Sequence, residues 1–215
     1  MILHQSIGPN PRVVLFYLAH CGLDMRRKFV DIMSGENRQP AYLARNPAGG
    51  TPLLELDDGS HIADSVAICE YLDELHPEAG LVGATPEARA RTRAILRQID
   101  HTVVVPLTTG FRGAEGLPMF KDRMLCSPEA APGNKALAAD GLNGVDALLG
   151  KSAYLTGNTL TLADIVLFCF VEFGAQVGQP SDPALTNLAA WHERVGALPA
   201  ATASANPQIG IDAAG

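Results

Sequence analysis

The side chains able to do chemistry in this chain are few, and they are not spaced for a metal or a redox pair. The four cysteines, Cys21, Cys69, Cys126 and Cys169, form no C-x-x-C, and three of them lie in apolar helical patterns. That is how reduced core thiols of a cytoplasmic protein are distributed. Six histidines are scattered without H-E-x-x-H spacing or Cys/His pairing, so no metal site is expected. Asp164, a carboxylate at the head of a strongly apolar segment, invites a catalytic reading. Its spacing from Thr161 is that of a capping box, with Leu160 and Ile165 as the hydrophobic staple, and this accounts for residue and spacing together. Polar residues gather instead at helix starts, in Asn10-Pro11 and Asp64-Ser65. Read by residue type alone, each is a good helix-start signal.

The elements that must carry these residues are legible from period and punctuation. Ile2 to Ser6 reads as a buried strand. Asn10 as N-cap and Pro11 as first helical residue open a helix that runs through Leu18 to Gly22. Phe29 to Ile32 reads as a second strand, making a parallel β-α-β unit. A short helical turn over Tyr42 to Arg45 ends in the loop Asn46 to Gly50, and Leu53 to Leu56 with Ser60 to Ala63 form a hairpin around Asp58-Gly59. Asp64-Ser65 then opens an amphipathic helix that ends at His76-Pro77. Past a linker at 78–85 the strand signals vanish. Helices are expected from Pro86, with a kink at Pro106 and a break at Gly110 to Gly116, then over Met119–Leu125, Lys135–Leu149, Leu162–Val177 and Ala184–Val195. The division is therefore 1–77, an α/β domain, and 86–215, an all-helical one.

Composition agrees with a folded globular protein: 215 residues, 47% hydrophobic, 18% charged, with 21 glycines and 15 prolines, too few for low-complexity sequence. A net charge of -7 opposes a nucleic-acid partner, since neutralising phosphates needs clustered cations. The longest apolar run, Ile165 to Val171, stops at Glu172, so no membrane span is expected. Arg12 followed by Val13 to Ala19 imitates a signal peptide, but Pro9 and Pro11 precede it and His20-Cys21-Gly22 ends it.

The ordered set of β-α-β with Asn10-Pro11, Asn46-Pro47-x-Gly, Thr51-Pro52-Leu, Asp64-Ser65 and an all-helical half carrying Thr-x-x-Asp resembles the cytosolic glutathione S-transferases, from Ile2 to about Leu198. The resemblance implies a thioredoxin-like N-terminal domain that binds glutathione and an all-α C-terminal domain that lines the electrophile site. It further implies a cytoplasmic homodimer in which one subunit's first domain meets the other's helices, and a role in detoxification. Glutathione would be a co-substrate and no metal would be involved.

By the same resemblance, Thr51-Pro52 holds the family's cis-proline, whose preceding residue pairs with the cysteinyl backbone of glutathione. Asp64 and Ser65 hold the γ-glutamyl end, the serine hydroxyl, backbone N–H and helix dipole taking its carboxylate and the acid facing its amine. Asn37 and Arg38 stand where relatives carry donors to the glycyl carboxylate, and Gly50 stands where many carry glutamine. For the thiol, Asn10 occupies the place of the catalytic cysteine of beta-type relatives and of the asparagine of disulfide-reducing Nu-type relatives. Ser6 is the nearest hydroxyl and the second choice. With no cysteine in this loop, the nucleophile expected is the glutathione thiolate, attacking an apolar electrophile, a peroxide or a disulfide. Val105, Phe111, Met119 and Arg112 are the residues picked for the second substrate. The alternative is a non-catalytic protein-interaction scaffold with the same fold.

Overall fold

The computed structural model describes residues 1–208. The chain divides into two compact units, one of residues 1–80 with the described residues from 196 onward, the other of residues 81–195.

The first unit is built on a four-stranded mixed sheet. Strand β1 (Ile2–Gln5) lies at its centre, parallel to β2 (Arg26–Phe29) and antiparallel to β3 (Leu53–Glu55), which pairs antiparallel with β4 (His61–Ala63). The order is β2-β1-β3-β4. Alternation along a strand sends neighbouring side chains to opposite faces. Leu53 joins Val30 and Tyr42 in a small core on one face, the latter brought by the short helix α2 (Pro40–Leu43). Helices α1 (Pro9–Cys21) and α3 (Ser65–Leu75) pack together, burying Val13, Val14, Phe16, Tyr17, Ile68, Cys69 and Leu72.

Two local expectations are corrected here. The second strand is Arg26–Phe29 rather than 29–32. It is an edge strand, half exposed and charged, and it is defined by register against β1 rather than by its own apolarity. Val30 is instead the buried residue where the chain leaves the sheet, donating its N–H to Gln5 O at 2.7 Å. The N-cap of α1 is Gly8, not Asn10. Its φ of 113° and ψ of 171° belong to a region that in practice only glycine enters, so the cap is set by backbone shape, with no side-chain bond. Asn10 therefore sits inside the first turn.

Helix α4 (Pro86–Ile99) opens the second unit, its N-cap Thr85 accepting from Ala88 N–H at 3.2 Å. It runs through a π-helical stretch, Asp100–Val104, into α5 (Val105–Gly113). The expected kink at Pro106 takes this form: proline offers no N–H to the carbonyl four residues back, at Thr102. The helix also continues beyond Gly110. Helix α7 (Ala131–Leu149) crosses this stretch so closely that a β-carbon on Gly141 would lie 2.1 Å from Thr102 O. Between them lies α6 (Leu117–Phe120), shorter than the expected Met119–Leu125 and shifted toward the N-terminus. Helix α8 (Leu162–Gln176) is buried over nearly its whole first three turns, and α9 (Thr186–Gly196) supplies the buried Trp191.

The sequence pattern predicts a helical half over 86–215. In the structure the helix α10 (Pro199–Ala203), which pattern alone left unassigned, packs on α1 within the first unit. Arg12 donates to Ala201 O at 3.4 Å and Gln5 donates to Pro207 O, so polar contacts as well as buried Ala200, Ala201 and Ser204 hold it there. The end of that predicted domain, 209–215, lies outside the described residues. Among the described residues no helix is long and apolar enough to cross a membrane.

Candidate functional site

Register brings three chain segments to one edge of the sheet in the first unit. His4 is opposite Leu53, and Leu53 is opposite Ala63. One step beyond that row the chain reaches Gln5-Ser6 and the turn into α1, Thr51-Pro52 ahead of β3, and Asp64-Ser65 at the start of α3. The Thr51–Pro52 bond is cis. The loop leading into it is held by its own carbonyls: Gly50 O accepts from Tyr42 Oη at 2.6 Å and Asn46 Nδ2 at 2.9 Å, and Gly49 O accepts from Asn37 Nδ2 at 2.6 Å. Burial raises the Tyr42 phenol above its ordinary pKa, so it remains a donor at physiological pH.

At the start of α3, Asp64 holds a φ of 82° and is the only described non-glycine residue with positive φ. That backbone costs roughly 1–3 kcal/mol. Its Oδ1 accepts from Val66 N–H at 2.8 Å and Ala67 N–H at 3.2 Å, a cap worth about 0.5–2 kcal/mol that offsets the strain. The rest of the carboxylate faces solvent. Ser65 is 3% exposed, and its Oγ donates to Asn10 Oδ1 at 3.2 Å. Asn10 and Ser65, 55 residues apart in sequence, thus join the starts of the two helices. Pro9 and Pro11 carry no N–H and Arg12 N–H turns back to Gly8 O, so Asn10 holds the one main-chain donor left in that first turn.

The remaining expected residues have other placements. Ser6 is 1% exposed and donates its hydroxyl proton to Val30 O at 2.7 Å, which clamps β1 to the exit of β2. Asn37 is buried and committed to Gly49 O; its Oδ1 has no partner, and its role is to hold the loop. Arg38 is half-exposed beside the same loop, with one N–H to Ala48 O at 3.3 Å. At Gly50 there is open space: a β-carbon would meet only Asn46 Nδ2, at 3.9 Å.

Sequence reasoning missed a charged cluster on the sheet. His4 is 3% exposed, its Nε2 lies 2.8 Å from Glu55 Oε2, and Arg45 stands 3.9 Å from the same carboxylate and over the Tyr42 ring. Burial lowers the His4 pKa, and the His4 bond lowers that of Glu55. The signal is diagonal pairing, His4 standing opposite Leu53 and Glu55 two residues along the same strand, which needs the register to be known.

In the helical unit, Asp164 is fully buried and accepts four bonds at 2.9 Å, from Leu155 N–H and Trp191 Nε1 on Oδ1 and from Thr161 N–H and Oγ1 on Oδ2. The capping box accounts for the bond from Thr161 N–H, Thr161 Oγ1 adds a second within the cap, and the other two tie the helix start to the preceding loop and to α9. Burial pushes its pKa up against those bonds. Phe111 packs edge-on against Phe120 and Phe173, Arg112 lies over the Phe120 ring, and Val105 is exposed. A cavity of about 270 Å³ lies between the π-helical stretch and α7, lined by Gln98, His101, Thr102, Leu137 and Asp140 among others, and contains none of the residues picked for ligand binding. Among the described residues no three His, Cys, Asp or Glu side chains are grouped to hold a metal ion.

Comparison with known proteins bears on both units. The family model for the glutathione S-transferase N-terminal domain matches residues 7–75, and that for its C-terminal domain matches residues 132–199. Glutathione S-transferase 2 of Saccharomyces cerevisiae is 28% identical over 91% of this chain and 85% of its own length. A maleylacetoacetate isomerase of Pseudomonas aeruginosa is 33% identical over 70% of this chain and 69% of its own. The crystal structure of a glutathione S-transferase domain-containing protein from Marinobacter aquaeolei is similar with a TM-score of 0.88 at 30% identity, covering 93% of this chain and 99% of that one. With both domain models matched in order and relatives at 30% identity or more over most of their length, the chain belongs to the cytosolic glutathione S-transferase superfamily.

Proposed function

We propose that this glutathione transferase binds glutathione along the sheet edge of its first unit and activates the thiol through Asn10. The observation that carries the reading is the convergence there of the cis Thr51–Pro52 bond, the Asp64-Ser65 helix start and the single free-standing turn Pro9-Asn10-Pro11. Thr51 offers its backbone to the cysteinyl residue. The exposed part of the Asp64 carboxylate faces the γ-glutamyl amine, and the Ser65 main-chain N–H with the dipole of α3 takes the γ-glutamyl carboxylate. Arg38 meets the glycyl carboxylate from a loop that Asn37, Tyr42 and Asn46 hold in place.

Free cysteine has a pKa near ~8.5, so a few per cent is thiolate at neutral pH. A hydrogen bond to the thiolate worth ~1.5–3 kcal/mol lowers that pKa by roughly one to two units. Asn10 can supply its main-chain N–H and its amide hydrogens. The thiolate then attacks an apolar electrophile, a peroxide or a disulfide, and relatives named as transferases and as an isomerase favour such chemistry over a non-catalytic scaffold. Neither thiol of the first unit competes for this role: Cys21 is at the far end of α1 with its thiol pushed up to about 11, chiefly by burial, and Cys69 is buried. The apolar residues around Phe111 and Met119 in the helical unit are proposed to receive the second substrate, and the protein is proposed to act as a cytoplasmic homodimer.

The test is a pH titration of thiolate absorbance for glutathione bound to the purified protein. The expected result is a bound pKa at least one unit below the free value, followed by turnover in electrophile, peroxide or disulfide screens. An unshifted bound thiol, or no binding, would return the protein to the scaffold reading. Light scattering at micromolar concentration should give the dimer mass, and a clean monomer would refute that part.

A further inference from the structure

A carbonyl oxygen has two lone pairs, and at Gly50 both are taken by buried side chains. Tyr42 Oη donates to Gly50 O at 2.6 Å and Asn46 Nδ2 at 2.9 Å, from residues that are 2% and 4% exposed. Both donors are themselves held. The Tyr42 ring lies in the small core with Val30 and Leu53, with the Arg45 guanidinium 5.5 Å from its centroid, and Asn46 has its main-chain N–H on Tyr42 O at 2.9 Å. A peptide group is planar, and in the trans form its N–H points away from its carbonyl. The bond from Gly50 to Thr51 is trans, since Thr51–Pro52 is the one cis bond among the described residues. The direction of the Gly50 carbonyl therefore sets the direction of the Thr51 N–H. We infer that Tyr42 and Asn46 are positioning residues for the peptide backbone of the ligand: by fixing the Gly50 carbonyl from two sides they aim the Thr51 N–H at the cysteinyl carbonyl of bound glutathione. The inference rests on the glutathione reading above and assigns the backbone recognition to the two side chains behind it.

This peptide plane has little else to hold it. Gly50 has no β-carbon, and one placed there would meet only Asn46 Nδ2, at 3.9 Å, so packing does not limit rotation about the glycine and the two carbonyl bonds do. The Thr51 N–H has no acceptor among the described residues, and Pro52 after it carries no N–H, which leaves Thr51 as the donor at this end of the loop. A donor turned outward by two buried bonds on the far side of its own peptide is ready for an acceptor without reorganising the loop. Asn37 provides the contrast within the same loop. Its Nδ2 donates to Gly49 O at 2.6 Å, one peptide earlier, and that plane carries the N–H of Gly50 rather than of Thr51.

The experiment is calorimetric titration of the full chain with glutathione and with an analogue that has a trans alkene in place of the cysteinyl–glycine amide. The analogue keeps the thiol, both carboxylates and the chain geometry but lacks the cysteinyl carbonyl. The parent should prefer glutathione by about fivefold, the effect of one hydrogen bond. Tyr42→Phe, which keeps the ring and removes the hydroxyl, should cut that preference to about twofold while leaving the affinity for the analogue unchanged. Asn46→Ala gives the same reading on the other lone pair should the first variant not fold, and the double variant should show no preference. Asn37→Ala, which loosens the loop without touching this peptide, should weaken both ligands equally and keep the preference. Equal weakening of both ligands by Tyr42→Phe, or no change in either, overturns the positioning role and leaves the glutathione site standing. A parent that binds glutathione and the analogue alike overturns the aim of the Thr51 N–H, again with the site standing. A parent that binds neither overturns the glutathione reading and the positioning role together.

Discussion

Replacing Arg38 and Asn37 separately distinguishes a residue that reads the ligand from one that only shapes the loop. The two are adjacent, and by resemblance alone both would face the glycyl carboxylate. In the structure Arg38 is half-exposed with a single long bond to Ala48 O, while Asn37 is buried with its amide on Gly49 O at 2.6 Å. A charge-assisted bond contributes ~1.5–3 kcal/mol, and partial exposure of the guanidinium discounts this to about 1–2 kcal/mol. Arg38→Ala should then weaken glutathione binding by roughly 5- to 30-fold. Asn37→Ala instead leaves the Gly49 carbonyl without its partner, at a cost of about 1–3 kcal/mol in the stability of the loop. The assay is calorimetric titration with glutathione and with glutathione amidated at its glycyl carboxylate. Arg38→Ala should abolish the preference for the acid over the amide, whereas Asn37→Ala should weaken both by the same factor. Equal weakening of both ligands by Arg38→Ala would refute the reasoning.

Other outcomes follow from packing and charge. Asp164→Ala leaves four buried donors without an acceptor; at ~1 kcal/mol each the loss is about 4 kcal/mol, a fall of roughly 2 M in the urea midpoint, and a loss under about 1 kcal/mol would contradict it. Gly141→Ala should destabilise by about 2 kcal/mol because its β-carbon would lie 2.1 Å from Thr102 O, while Gly144→Ala in the same helix, with nothing within 4 Å, should be neutral or stabilising by up to ~1 kcal/mol; equal melting temperatures would refute the close approach. Stability should fall on acidification below about pH 6.5, the ordinary histidine value. His4 in the fold resists protonation that the unfolded chain accepts, and Glu55 loses its lowered pKa as it protonates, so both act in the same direction. His4→Gln should flatten the upper part of that profile in urea titrations from pH 7 to 5, and an unchanged slope would exclude His4 as its source.

The element order as far as α9 is legible in the chain because it rests on local rules: hydrophobic period, a D-G hairpin turn, proline at helix starts and the Thr161/Asp164 box. So is the set of segments that meet at the sheet edge, through Thr51-Pro52, Asp64-Ser65 and the turn before α1. What the chain did not disclose depends on contacts distant in sequence. An edge strand such as Arg26–Phe29 takes its identity from the strand beside it, and its own residues look like a charged loop. Gly8 displaced Asn10 as the cap because a φ of 113° is decided by how the turn must join strand to helix. Ser6 and Ser65 are both buried serines near helix starts, yet one gives its proton to Val30 O and the other to Asn10 Oδ1, a choice of acceptor that no spacing encodes. Local sequence determined which elements form and which polar residues stand at their ends. Only the tertiary structure decided which of those hydrogens were already spent, since a hydrogen bond is settled by the one partner that burial brings within reach.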